Sequence, residues 1–144
     1  MNKTVWIGAV YALSIVTVVP LSAMNERLHE AVRNHQSDVV KNLIADGVDV
    51  NARNKHGETA LHRAVIEGDV KTVLRLLAAP NINVNARDQH NATPLHYAVP
   101  YGKKEIVALL LGAPNIDVNA KNLENKTPLN LAIDLKLDDV AELF

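Results

Sequence analysis

Thr93-Pro94-Leu95-His96-Tyr97-Ala98 has two counterparts in the chain: Thr59-Ala60-Leu61-His62-Arg63-Ala64 before it and Thr127-Pro128-Leu129-Asn130-Leu131-Ala132 after it. The threonines are evenly spaced, 93 minus 59 and 127 minus 93 both giving 34. Val50-Asn51-Ala52, Val84-Asn85-Ala86 and Val118-Asn119-Ala120 keep the same interval. Two independent phrases with one period imply one supersecondary unit stacked on copies of itself.

The phrase reads as a helix start. A threonine hydroxyl accepts from an orphan amide of the first turn, proline fits the first helical position, and leucine opens an apolar stripe. Ala64, Ala98 and Ala132 are small enough to let a second helix approach. A turn follows at Gly68, Gly102 and Lys136. Val70, Val73, Leu74, Leu76 and Leu77, then Ile106, Val107, Leu109, Leu110 and Leu111, show a second helical periodicity. Each unit is thus predicted to be an antiparallel helix pair.

These residues resemble the ankyrin repeat, whose motif is Thr-Pro-Leu-His-x-Ala with a helix pair and a hairpin loop. The resemblance covers about residues 25–144. It implies an all-α, ankyrin-type solenoid of stacked antiparallel helix pairs joined by hairpin-like loops, with a non-enzymatic role in binding other proteins. Four units are expected, at 25–54, 55–88, 89–122 and a truncated 123–144. The connecting arms run 51–58, 85–92 and 119–126, with tips on Gly57, Asn91 and Asn125. Asparagine is the best non-glycine residue for the positive φ such a tip needs. The resemblance also gives His29, His62 and His96 a structural part, linking helix starts to neighbouring loops.

The end units depart from the pattern. Leu28-His29-Glu30-Ala31 matches Leu61-His62-Arg63-Ala64 at an offset of 33, but no threonine precedes it. Asn25 is the expected N-cap, with Glu26 favourably placed against the helix dipole. The second helix of this unit is predicted over about residues 37–45, with Gly47 at its left-handed stop. Pro100 falls near the end of a first helix and predicts an early or tightened last turn. Phe144 aligns with Leu110, which puts it inside the last unit's second helix and predicts an apolar end.

Upstream of the repeats, no residue from Thr4 to Asn25 is charged, and Lys3 precedes this stretch. Val5 to Val19 has the length of a secretory apolar region and falls short of the roughly 20 residues of a spanning helix. Ala23 supplies a small residue for cleavage. Residues 1–23 therefore read as an apolar N-terminal helix that is a signal peptide, an uncleaved membrane anchor, or a first helix packed on the array. The first makes the chain exported, periplasmic or secreted; the second leaves it membrane-anchored. A bacterial-type leader on such an array resembles proteins of host-associated bacteria, which implies a host protein among the partners.

Composition narrows the function. A net charge of −1 gives no basic face for nucleic acid, and the absence of cysteine excludes disulfides and thiolate metal sites. His56 and His90 share a motif position in successive arms but have no third ligand, so no metal and no cofactor is expected. No phosphate loop, HExxH motif or nucleophile elbow occurs, and the chain does not read as an enzyme. The resemblance places a partner protein on the concave face. Tyr97, Tyr101 and Arg63, with Lys55 and Arg87 in the arms, are the expected contacts, since Tyr and Arg dominate interface hot spots. The two tyrosines, four apart, are expected to point outward together from one helix. The alternative is a self-associating scaffold that uses the last repeat.

Overall fold

The computed structural model of the chain describes residues 18–101 and 103–144. Most of the expected leader lies outside the described residues. Eight helices follow in order: α1 (Leu21–Arg33), α2 (Ser37–Ala45), α3 (Ala60–Glu67), α4 (Val70–Leu77), α5 (Pro94–Ala98), α6 (Lys104–Leu111), α7 (Pro128–Asp134) and α8 (Asp138–Ala141). Among the described residues there is no strand, and no helix is long and apolar enough to cross a membrane. The all-α solenoid of stacked helix pairs is what the structure shows. The first helices α1, α3, α5 and α7 pack side by side in one row, and α2, α4, α6 and α8 form a second row behind them.

Short helices cannot bury both flanks alone, so each unit depends on its neighbours. Leu28, Leu61 and Leu95 share one register position and are all wholly buried. Val32, Val65 and Val99 share another, Val40, Val73 and Val107 a third, and Leu43, Leu76 and Leu110 a fourth, none more than 3% exposed. Ala64, Ala98 and Ala132, at most 2% exposed, let the two rows meet closely. In the last unit the series ends, with Ile133 59% and Phe144 37% exposed.

The helix starts are held by one device. In α3, Thr59 N–H and Thr59 Oγ1 both point to His62 Nδ1, at 3.1 and 2.9 Å. On the other side of the ring, Nε2 donates to Ala92 O in the next arm at 3.1 Å. A carbonyl only accepts, so Nε2 carries the proton and Nδ1 is the acceptor. His96 repeats the arrangement, with Thr93 on one side and Lys126 O on the other. In α7 the Asn130 amide oxygen accepts from Thr127 N–H at 3.0 Å. The histidines thus link helix starts to neighbouring loops.

Left-handed positions fall where turns were expected. Gly57, Asn91 and Asn125 have φ of 74°, 57° and 59°. Gly57 also meets a close approach, since a Cβ there would lie 3.0 Å from Gln89 N of the next arm. Pro100 ends α5 early, as expected, leaving five helical residues. Two expectations fail. Phe144 lies beyond the last helix, since α8 ends at Ala141. The first helix does not start at Asn25: α1 begins at Leu21 with Pro20 at the N-cap position, no capping side chain and no acidic residue in its first turn. The uncharged sequence before Asn25 continues the helix, and Glu26 lies inside it.

The buried rings generate a pH dependence. Burial, partly offset by the hydrogen bonds to Ala52, Ala92 and Lys126, lowers the pKa of His29, His62 and His96 below 6.5. The unfolded chain then binds protons that the folded chain refuses. This stability is complete above pH 6.5 and is lost as pH falls from there toward the folded values. Urea unfolding at pH 7.5 and 5.0 is expected to show a lower midpoint in acid. His62→Ala, which strands Thr59 N–H and breaks the link to Ala92 O, is expected to lose about 3 kcal/mol at pH 7.5 and part of the acid sensitivity.

Candidate partner-binding face

The arms and the first helices form one face, and a ladder of side-chain bonds fixes the arms to one another. Asn51 donates through Nδ2 to Asn81 O at 2.7 Å and accepts at Oδ1 from Asn83 N–H at 2.8 Å. Asn85 makes the same pair with Asn115 O and Asp117 N–H. The arm tips are joined by backbone bonds from Gln89 N–H to His56 O and from Leu123 N–H to His90 O. Within each tip one side-chain oxygen, from Asn54, Asp88 or Asn122, accepts two backbone N–H groups. The arms are therefore a preorganised edge.

The five expected contact residues fall into different environments on this face. Arg87 lies across the arms, donating to Lys121 O at 2.7 Å and to Asn91 O at 3.3 Å. Arg63 is held by Glu58 at 3.2 Å and Glu67 at 3.5 Å, and Glu58 is 8% exposed. Tyr97 donates its hydroxyl to Asp88 at 2.5 Å and sets its ring edge-on to His62. Burial first, then that bond to the carboxylate, pushes the Tyr97 phenol well above its ordinary pKa. Tyr101 is 55% exposed, and Lys55 is exposed on its arm.

The tyrosines therefore do not form the outward pair expected from their spacing. Proline at 100 ends α5 at Ala98, so Tyr101 leaves from the turn while Tyr97 is drawn down onto the arm. The residues that sequence reasoning passed over are Asp88 and Glu58, the buried carboxylates that hold Tyr97 and Arg63. A signal was present at Asp88. It puts a carboxylate where the other arms carry Asn54 and Asn122, and a charge has a reason to be buried there only if an extra donor meets it.

An open groove of ≈ 920 Å³ lies at the N-terminal end of this face, between α1 and the first arm. His29, Glu30, Arg53, Lys55, His56 and Arg63 line it. Two of the expected contacts, Lys55 and Arg63, thus share a groove, while Tyr97 and Tyr101 belong to the next unit along. Among the described residues no group of three His, Asp or Glu side chains could hold a metal ion. His56 N–H donates to Asn54 and His90 N–H to Asp88, both uses of the backbone.

A family model for ankyrin repeats in three copies matches residues 28–122. The chain belongs to the ankyrin repeat family. It is also 46% identical over 44 residues to the nuclear factor NF-kappa-B p105 subunit of Gallus gallus, a stretch that covers 31% of this chain and 4% of that protein. The chain thus spans a small part of this relative. Ankyrin repeats generally mediate protein–protein interaction and are typically non-enzymatic.

The two tyrosines differ in what they do for folding. Tyr97→Phe leaves a buried Asp88 oxygen without its donor and is expected to cost about 1–2 kcal/mol in urea unfolding. Tyr101→Ala, at an exposed turn, is expected to stay within about 0.5 kcal/mol of the parent chain.

Proposed function

We propose that the chain is an exported ankyrin module that binds a partner protein through its concave face, and does no chemistry. The observation that carries the reading is the arm edge locked by the asparagine ladder, which runs into the groove lined by Lys55 and Arg63, with Tyr101 exposed in the turn beyond α5. An ordered edge loses little entropy on binding, and an exposed aromatic supplies contact area. Within the five residues, Tyr101 and Lys55 are the free contacts, and Tyr97, Arg63 and Arg87 hold the surface in shape. Export is supported by the uncharged stretch from Thr4 to Asn25, and a host protein is the partner that such a leader suggests. The photo-crosslinking amino acid p-benzoylphenylalanine in place of Tyr101 is expected to trap a protein adduct. The same group in place of Ala108, exposed on α6, is expected to trap none. Equal adducts at both positions, or none at Tyr101, would overturn the concave face.

A second reading is self-association through the last repeat. It is favoured by Ile133 and Phe144, exposed at positions that Val99 and Leu110 fill wholly buried one repeat earlier. Light scattering of the chain is then expected to give a dimer mass that Ile133→Glu reduces to a monomer; a monomer from the start rejects it.

A further inference from the structure

The first repeat contains two buried side-chain atoms with no hydrogen-bond partner, Asn25 Oδ1 and His29 Nδ1. His29 stands at the motif position of His62 and His96 and is 8% exposed. Its Nε2 bonds to Ala52 O at 3.0 Å, so Nδ1 is a bare acceptor, as in the other two rings. There Nδ1 receives a backbone N–H from the residue three earlier, Thr59 or Thr93, at 3.1 Å in both. The residue three before His29 is Glu26, and α1 runs on upstream to Leu21. Glu26 N–H is therefore committed to the preceding helical turn and is not available to the ring.

Both orphans trace to one extra turn, which has little to hold it. Val18 to Ser22 are all exposed, with Leu21 at 55%. Among the described residues, Met24 is the first to pack on the core. A helix with Asn25 at its N-cap would satisfy the first of these atoms. Asn25 Oδ1 would accept a first-turn N–H, as an N-cap does. Glu26 would also become a first-turn acid, opposite the helix dipole.

We propose that the Ala23–Met24 bond is a processing site whose cleavage moves the start of α1 from Leu21 to just after Asn25, which becomes the N-cap and gains the partner its side chain lacks. The inference rests on the export reading above and gives it a structural consequence. Water adds across the Ala23–Met24 amide, leaving a carboxylate on Ala23 and an ammonium on Met24. The catalyst required is a peptidase that accepts small residues before the cut. Met24 keeps its place on the core, so the repeat loses only its exposed turn.

The full chain, tagged at its C-terminus and expressed with an export machinery, is weighed intact and sequenced from its N-terminus. A start at Met24 is expected; a chain that retains Met1 overturns both the cut and export, and any other start overturns the site. The processed chain is then melted beside its Asn25→Ala and Asn25→Ser variants. Alanine is expected to lower the midpoint by about 3 °C and serine to restore it. In a chain kept whole by Ala23→Leu, Asn25→Ala is expected to change nothing. Identical melting of the processed parent and its Asn25→Ala variant overturns the recapping and leaves export standing.

Discussion

The hydrogen bond from an imidazole Nε2 to a carbonyl of the neighbouring arm is the constraint from which the rest of the molecule follows. It is made by His62 to Ala92, and again by His96 to Lys126. One ring touches its own helix start on one side and the next repeat on the other. Helix capping and stacking are thereby the same event. A repeat whose helix is uncapped has no ring in position to receive its neighbour, which ties local order to assembly and makes an isolated repeat unstable. The ring is neutral because a buried charge there would have to be compensated, and its two nitrogens then have fixed and different roles.

The face made by the arms and first helices inherits its rigidity from that constraint. With each arm hung from a histidine, the asparagine ladder and the bonds between arm tips need only align segments already close. Residues on the face divide between those that hold it and those it presents. Asp88 and Glu58 draw Tyr97 and Arg63 into the framework, whereas Tyr101 and Lys55 project from it. Residues of the hot-spot types are therefore not all left free here. A tyrosine whose hydroxyl is already paired to a buried carboxylate has less to offer a partner than one in solvent.

Much of this was legible in the sequence because the period is a property of the sequence. Thr59, Thr93 and Thr127 mark helix starts through local capping chemistry, and Gly57, Asn91 and Asn125 mark arm tips through backbone sterics. Both effects act over three or four residues, so no knowledge of the fold is needed to read them. The early end of α5 at Pro100 belongs to the same class. The first helix was misread where the repeat stops. Asn25 is a good cap only if the chain before it leaves the helical path, and the uncharged residues from Leu21 do not.

The sequence by itself determined the repeat, its helix pairs and the register of Leu28, Leu61 and Leu95. Each follows from short-range chemistry copied at a fixed interval. The tertiary structure alone decided which side chains on the arm face are free. Asp88 and Tyr97 are nine residues apart, and Arg87 meets Lys121 across 34. Such pairings depend on how closely one repeat lies against the next, and no pattern within a single repeat encodes that distance.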